Sequence, residues 1–313
     1  MSIPKLAFVF PGQGAQSVGM GRDLHESSPA ARAAFEAVDA ACGYSVSQLC
    51  FDGPEEALKE TRNTQPALFA VSSAALAACC EAGLTPSAAA GHSIGEYAAL
   101  TAAEALCVTV GARLVKARGA AMAEAAAARP GTMAAVLGLE ASVVAEVCRQ
   151  VNHVGVAVLA NLNSPGQIVI SGEVNAVNEA SLLLKEKGAK RVLPLAVSGA
   201  FHSPLMEPAS YVMKGVLELA DVQDARIPVV ANVTADYQRT AAEVRANLAA
   251  QVAGPVRWIE TIERLSQDGF TTFIECGPGN VLAGLIKRIA PEAKTYSVSD
   301  MTSLNIARES LLV

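Results

Sequence analysis

Charged and aromatic residues are scarce in this sequence. Only 17% of its 313 residues are Asp, Glu, Lys or Arg, and 4% are aromatic, whereas 51% are hydrophobic. A disordered chain has the opposite balance, so we expect a folded protein with a large buried core. Basic residues are outnumbered, 24 against 30 acidic ones, and the net charge of -6 gives no general attraction for nucleic acid.

Paired cysteine motifs and long hydrophobic runs are also missing. The seven cysteines include no C-x-x-C spacing and their number is odd, which favours reduced thiols. The most apolar stretch, residues 67–80, is shorter than a membrane span and contains Ser72 and Ser73. The apolar run at residues 6–10 is too short for a targeting signal. We therefore expect a cytoplasmic protein that does not bind membranes.

Sequence motifs for common cofactors are absent. The G-Q-G at residues 12–14 lacks the third glycine of a dinucleotide fingerprint, and neither a phosphate-binding G-x-x-x-x-G-K-[ST] loop nor an H-E-x-x-H zinc motif occurs. The expectation is a protein with no metal and no bound cofactor.

Strand and helix patterns alternate along much of the chain, which is typical of an α/β fold. Residues 5–10 predict a buried strand that stops at a Pro-Gly turn. Alanine-rich helices are predicted at 64–81 and 109–128, and further strands at 228–232 and 272–275.

The middle of the chain has a different order of elements. It predicts strands at 132–137, 156–161, 167–171 and 189–195 and helices at 142–150 and 174–187. This order is β-α-β-β-α-β, the ferredoxin-like unit. We therefore predict an inserted small domain at residues 129–198 and a discontinuous large domain at residues 1–128 and 199–313.

The segment G-H-S-I-G at residues 91–95 has the G-x-S-x-G spacing of a nucleophile turn. A short strand is predicted before it and a helix after it, which is the context in which such a serine is reactive. Ser93 is then a candidate nucleophile, and the N–H of Ile94 can donate to an oxyanion. A chance match to a loosely specified pentapeptide is the alternative.

A nucleophilic serine needs a base, and the chain has four histidines. We interpret His25 and His153 as surface residues. His92 adjoins the serine and is expected to point elsewhere. His202 lies where the chain leaves the small domain, a favoured place for catalytic groups, although a loop histidine without function is the alternative. No acidic residue is an evident partner for His202, so a backbone carbonyl could orient it.

Seven short motifs occur in an order that closely resembles the malonyl-CoA:acyl carrier protein transacylases of bacterial fatty acid synthesis. They are F-P-G-Q-G-A-Q (10–16), N-T-Q-P-A (63–67), G-H-S-I-G-E-Y (91–97), A-R-G-A-A-M (117–122), N-S-P-G-Q (163–167), G-A-F-H-S-P (199–204) and E-C-G-P-G (275–279). The resemblance extends over residues 6–289. It implies a hydrolase-like α/β domain with a parallel sheet core and a ferredoxin-like insertion, in agreement with the elements predicted above.

The resemblance implies catalytic roles for five residues. Ser93 matches the acylated nucleophile and His202 its base. Gln13 and Ile94 match the residues whose backbone N–H groups form the oxyanion hole. Gln251, before G-P-V-R-W, matches the glutamine whose main-chain carbonyl orients the histidine, which would account for the missing carboxylate.

The resemblance also implies three substrate-binding residues. Arg118 matches the arginine that binds the malonyl carboxylate, a task that suits its planar fork of donors. Without the resemblance, a solvated charge on a helix is the simpler interpretation. Met122 and Phe201 match residues of family members that accept malonyl groups, and the alternative is that both are ordinary core residues.

The implied reaction moves a malonyl group from malonyl-CoA to the phosphopantetheine thiol of acyl carrier protein through a malonyl-serine ester. Because carrier proteins are acidic, docking needs local basic patches, and residues 185–191 and 287–288 are candidates. Three alternatives stay open: a serine esterase or thioesterase, a silent carrier-binding module, and an acyltransferase that serves polyketide synthesis. A monomer is expected, because no interface signal is evident.

Overall fold

The computed structural model describes residues 5–312, which form ten β-strands and two sheets. The strands are β1 (Leu6–Phe10), β2 (Ala88–Gly91), β3 (Thr132–Leu137), β4 (Ala157–Ser164), β5 (Gln167–Gly172), β6 (Arg191–Pro194), β7 (Val229–Val230), β8 (Tyr237–Gln238), β9 (Thr272–Cys276) and β10 (Lys294–Val298).

Fourteen α-helices account for most of the rest of residues 5–312. They are α1 (Arg22–Ser27), α2 (Pro29–Cys42), α3 (Val46–Asp52), α4 (Glu55–Lys59), α5 (Thr61–Glu81), α6 (Gly95–Ala102), α7 (Val108–Ala128), α8 (Ala141–Gln150), α9 (Val174–Glu186), α10 (Glu207–Leu219), α11 (Ala241–Gln251), α12 (Trp258–Gln267), α13 (Val281–Ile289) and α14 (Met301–Leu312). Within this described range, we find no helix with both the length and the apolar character that a membrane crossing requires.

The larger sheet is mixed and has the strand order β10-β9-β1-β2-β7-β8. Neighbouring strands pair in parallel except for β7 and β8, which are antiparallel. All five residues of β1 are buried, and they alternate between two cores. Phe8 and Phe10 pack in one core, whereas Ala7 and Val9 pack in another with Trp258. Helices therefore cover both faces of the sheet, as the hydrophobic composition and the predicted α/β fold require.

The smaller sheet is antiparallel and has the strand order β4-β5-β3-β6. Its elements follow one another along the chain as β3, α8, β4, β5, α9 and β6. Pro165 and Gly166 connect β4 to β5, and Gly166 takes a positive φ of 71° that favours glycine. Apolar residues of α8 and α9, among them Val144, Val147 and Leu184, form a separate core against this sheet.

Several elements were not predicted from the sequence. Helices α10, α11 and α12 lie between residues 203 and 271, where only one strand was expected, and that strand is two residues long. Strand β10 and helix α14 were also missed. Most predicted elements end within about three residues of the observed ones.

Candidate active site

The candidate residues lie at the carboxyl ends of two adjacent parallel strands. Phe10 at the end of β1 pairs with Gly91 at the end of β2. The chain then continues from β1 into the turn that contains Gln13 and from β2 into the turn that contains Ser93. Crevices beyond the carboxyl ends of parallel strands are the usual binding sites of α/β sheets. Strand pairing therefore brings the F-P-G-Q-G and G-H-S-I-G motifs together.

The backbone turns sharply at Ser93, which has a positive φ of 52°. A Cβ atom added to Gly91 would lie 2.0 Å from the backbone of Gly95, and one added to Gly95 would lie 2.1 Å from the carbonyl oxygen of Phe10. Gly91 is therefore needed for the chain to fold back on itself within the turn, and Gly95 for the turn to pack against β1. The G-x-S-x-G pattern is thus a requirement of this turn and not a chance match.

The hydroxyl of Ser93 lies 2.7 Å from Nε2 of His202. The other ring nitrogen, Nδ1, lies 3.0 Å from the carbonyl oxygens of both Gln251 and Gly254. Since carbonyl oxygens only accept hydrogen bonds, Nδ1 carries the proton and Nε2 of the neutral ring is free to accept one from Ser93. His202 is thus oriented by two backbone carbonyls in place of a carboxylate.

The imidazole of His202 is held in its neutral form. Burial, and then the positive charge of Arg118, lower the pKa of His202 to about 3. The ring is therefore unprotonated throughout the physiological pH range, which is the form that a general base requires.

Arg118 is buried in α7, with only 1% of its surface exposed. One terminal nitrogen donates to Oε1 of Gln65 at 2.8 Å, and the other donates to Oε1 of Gln251 at 2.8 Å and to the Ser93 hydroxyl at 3.2 Å. The interpretation of Arg118 as a solvated helix charge is therefore wrong. The guanidinium lies within hydrogen-bond distance of the candidate nucleophile.

Gln13 and Ile94 line the same cavity as Ser93. Among residues 5–312, the backbone N–H groups of Gln13 and Ile94 have no hydrogen-bond acceptor. Two unengaged amides beside a hydroxyl could stabilise an oxyanion that forms on a bound acyl group.

The cavity has a volume of about 100 Å³ and lies between the two sheets. Ser93, Arg118 and Gln65 line it from the large-sheet side, whereas Met133 and Asn161 belong to strands β3 and β4 of the smaller sheet. Met122 and Phe201, which were expected beside the substrate, also line it and are 2% and 5% exposed. Seven of the eight candidate residues thus line one cavity. The eighth, Gln251, lies beside it and contacts both His202 and Arg118.

Other residues of the site were not identified from the sequence. The buried Asn232, just after β7, accepts from the backbone N–H of Ser93 at 2.7 Å and donates to the carbonyl of Gly91 at 2.6 Å. The side chain of Gln251 donates to the carbonyl of Ser93 at 2.9 Å and to Glu96 at 2.7 Å. Two features of the sequence could have indicated these residues: Asn232 is a polar residue at the end of a predicted strand, and Glu96 lies within the motif G-H-S-I-G-E-Y.

The other histidines are outside this hydrogen-bond chain. His92 lies 2.9 Å from Oδ1 of Asn163, which ties the nucleophile turn to the end of β4. His153 is exposed, as expected. His25 is partly buried and packs against Phe35, so it is less exposed than the surface position that was expected.

Comparison with known proteins extends the likeness beyond these motifs. A family model described as an acyl transferase domain matches residues 7–307. The malonyl CoA-acyl carrier protein transacylase of Bacillus subtilis (strain 168) is 47% identical over 308 residues, which cover 98% of this chain and 97% of that protein.

Solved structures give the same result. An acyl-carrier-protein-S-malonyltransferase from Bartonella henselae is 43% identical, with a TM-score of 0.95 and coverage of 99% of this chain and 100% of that one. A malonyl-transacylase solved in complex with its type II polyketide synthase acyl-carrier protein is 41% identical, with a TM-score of 0.94 and coverage of 98% and 99%. The likeness therefore includes the whole fold.

Proposed function

The chain belongs to the acyl transferase family that includes the malonyl CoA-acyl carrier protein transacylases, and we propose that it transfers malonyl groups from malonyl-CoA to the phosphopantetheine thiol of acyl carrier protein. It is an acyltransferase. The observation that carries the choice of acyl group is the buried Arg118, whose guanidinium is 3.2 Å from the Ser93 hydroxyl. A buried cation at this position favours an acyl group that ends in a carboxylate.

In the first half of the proposed reaction, Ser93 attacks the thioester carbonyl of malonyl-CoA. Nε2 of His202 takes the hydroxyl proton, and the N–H groups of Gln13 and Ile94 stabilise the oxyanion. The thioester C–S bond then breaks, CoA leaves as a thiol with the proton from His202, and a malonyl-serine ester is left. The 2.7 Å contact between Ser93 and His202 supports this proton path.

The second half runs through the same groups. His202 takes the proton of the phosphopantetheine thiol, whose sulfur attacks the ester carbonyl. The ester C–O bond breaks, and Ser93 regains its proton from His202. Arg118 holds the malonyl carboxylate in both halves, and its Nε atom, buried without a partner among residues 5–312, offers a further donor. Met122 and Phe201 limit the room around the α-carbon of the malonyl group.

We assign the two sheets to two domains. The large, hydrolase-like domain comprises residues 1–128 and 199–313, and the ferredoxin-like small domain comprises residues 129–198. The separate core of the smaller sheet and its β3, α8, β4, β5, α9, β6 order support this division. The substrate cleft is then the space between the domains, which protects the ester from water.

The decisive experiment is mass spectrometry of the intact protein and its peptides after brief exposure to malonyl-CoA without carrier protein. One malonyl group should be retained on the Ser93 peptide, be absent in Ser93→Ala and be much reduced in Arg118→Ala. Carrier protein should then remove it. Release of free malonate without an acceptor would instead identify an esterase or thioesterase, and the absence of both adduct and CoA release would identify a silent binding module.

Fatty acid chain elongation is the proposed destination of the malonyl group. Polyketide synthesis is a second candidate, because one structural relative was solved with a polyketide carrier protein. Transfer rates to purified carrier proteins of the two types from the same organism would separate the two roles, since the physiological acceptor should have the higher kcat/KM.

The exposed residues Lys187 and Lys190 of the small domain are the proposed docking patch for the acidic carrier protein. Changing both to Glu should raise the KM for carrier protein and leave the KM for malonyl-CoA unchanged. Lys214→Glu on the exposed face of α10 is the matched control. An unchanged KM in the double variant would exclude this patch.

The proposal includes a monomer in the cytoplasm. Light scattering during size-exclusion chromatography should give a mass near the 32.2 kDa of the chain. A mass of twice that value would establish a dimer.

A further inference from the structure

Arg118 has no direct carboxylate partner. Its hydrogen-bond acceptors are the uncharged side chains of Gln65, Gln251 and Ser93. None of the ion pairs found within 4.0 Å among residues 5–312 includes Arg118. A buried guanidinium without a nearby negative charge is strongly unfavourable. Its compensating charge must therefore lie beyond the residues that it contacts.

Glu96 is the buried carboxyl group closest to this network. It is 0% exposed and accepts three hydrogen bonds. Oε2 accepts from the side chain of Gln251 at 2.7 Å and from the backbone N–H of Asn232 at 3.1 Å, and Oε1 accepts from Gln238 at 2.6 Å. Burial keeps the pKa of Glu96 above its ordinary value, and these three donors and the charge of Arg118 offset part of that rise.

The amide of Gln251 fixes the direction of the hydrogen bonds. Because a guanidinium only donates, Oε1 of Gln251 must face Arg118 and the NH₂ group must face Glu96. The backbone N–H of Asn232 also can only donate. Both oxygens of the Glu96 carboxyl group thus accept from groups that only donate to them, which is the arrangement that suits an ionised carboxylate.

We propose that Glu96 is the counter-charge of Arg118, separated from it by the amide of Gln251, and that it limits the affinity of Arg118 for the malonyl carboxylate. The inference rests on the proposed function. A direct ion pair would occupy the guanidinium and exclude the substrate. An amide between the two charges leaves the guanidinium free for a ligand, while the negative charge of Glu96 repels that ligand from a distance.

Limited affinity suits a transferase. Binding energy that is equal in the ground state and the transition state does not raise kcat. A malonyl group held too tightly would also leave slowly on the carrier protein. Glu96 therefore limits the affinity of the Arg118 site for a carboxylate by its negative charge, at a distance and without contact with the substrate.

The test measures binding by calorimetry in the Ser93→Ala background, where no acyl transfer occurs. Malonyl-CoA and acetyl-CoA are titrated with and without Glu96→Gln. The new glutamine keeps a carbonyl oxygen for Gln251 and Asn232 but has no charge. We expect the Kd for malonyl-CoA to fall about tenfold, the scale for like charges roughly 10 Å apart in a protein environment. The Kd for acetyl-CoA should change less than about twofold, because it has no carboxylate to repel.

Two further variants complete the design. Glu275→Gln is the matched control, since Glu275 is a 1% exposed carboxylate that accepts from the backbone N–H groups of Leu282 and Ala283 and does not contact Arg118. It should change neither Kd. Gln238→Leu removes one donor from Glu96 and favours its protonation, so the Kd for malonyl-CoA should fall by a smaller factor than in Glu96→Gln. This variant tests the inference even if Glu96→Gln does not fold.

The outcomes separate the inference from the proposed function. An unchanged Kd for malonyl-CoA, or equal weakening for both ligands, would overturn the role of Glu96 while leaving the transfer reaction intact. If Ser93→Ala alone shows no preference for malonyl-CoA over acetyl-CoA, Arg118 does not bind the carboxylate, and both proposals fail.

Discussion

The low pKa of His202 predicts an unusual pH dependence of acylation. A histidine with the ordinary pKa of 6.5 would be about 97% protonated at pH 5, and a reaction that needs its neutral form would slow about thirtyfold between pH 8 and pH 5. Because burial and Arg118 lower the pKa of His202 to about 3, we expect kcat/KM for Ser93 acylation by malonyl-CoA to change less than about threefold over that range.

The same group makes protein stability depend on pH. The unfolded chain binds a proton at His202 below pH 6.5, but the folded chain does not until about pH 3. Stability is therefore lost as pH falls through this window, by about 1.4 kcal/mol per pH unit or about 2 kcal/mol at pH 5. Urea denaturation at pH 7 and pH 5 should show that His202→Gln loses about 2 kcal/mol less than the wild type.

Rapid-quench measurement of malonyl-enzyme formation provides the kinetic test. Circular dichroism at each pH serves as the control that the protein is folded. A fall of kcat/KM with a midpoint near pH 6.5 would refute the reasoning, and so would equal stability losses in the wild type and His202→Gln. Either result would mean that His202 is more exposed to solvent, or less affected by Arg118, than its contacts indicate.

Three further predictions test individual contacts. Asn232→Leu leaves the N–H of Ser93 and the carbonyl of Gly91 without their side-chain partner. The free energy of unfolding should therefore fall by about 2–6 kcal/mol in urea denaturation, and acylation should be slower. An unchanged free energy of unfolding would show that water replaces the amide. Gly95→Ala places a Cβ 2.1 Å from the Phe10 carbonyl and should yield inactive or insoluble protein, whereas Gly215→Ala on α10, with nothing within 4 Å, should stabilise by about 0.5–1 kcal/mol. Phe201→Ala should increase the kcat/KM for methylmalonyl-CoA relative to malonyl-CoA by about tenfold or more, and an unchanged ratio would remove Phe201 from selectivity.

Local patterns in the sequence were enough to predict the sharp turn at Ser93. The glycines around Ser93 are needed because of contacts within a few residues and with one neighbouring strand, so a short motif contains most of the information. His202 could be selected by its position at the end of the inserted segment. The sequence alone did not indicate that Arg118 is buried, because a charged residue on an alanine-rich helix looks the same whether it faces solvent or a core.

The amides that surround the site could not be predicted from local patterns. Asn232 and Gln251 reach Ser93 from 139 and 158 residues away along the chain. Only the packing of α11 and β7 against the nucleophile turn brings them there. Gln251 was identified only through resemblance to a family. The resemblance predicted the role of its main-chain carbonyl but not the hydrogen bonds of its side chain.

Helix α11 and strand β10 were not predicted from the sequence for other reasons. Helix α11 has no strong apolar stripe, but it begins with a capping box in which Thr240 and Glu243 exchange hydrogen bonds. The T-x-x-E signal was present in the sequence and indicates a helix start. Strand β10 has one fully buried residue, Val298, and lies at an edge of the sheet, so its alternation was weak.

Support of Ser93 from distant residues has a consequence for the order of events during synthesis. Ser93 is made 158 residues before Gln251, which corresponds to about 10–30 s at ordinary rates of translation. Until Asn232, Gln251 and His202 have left the ribosome and packed, their hydrogen bonds to Ser93 cannot form. The nascent chain therefore carries a serine without these partners, and the candidate site is completed only after residues as late as Gln251 have been made and have packed.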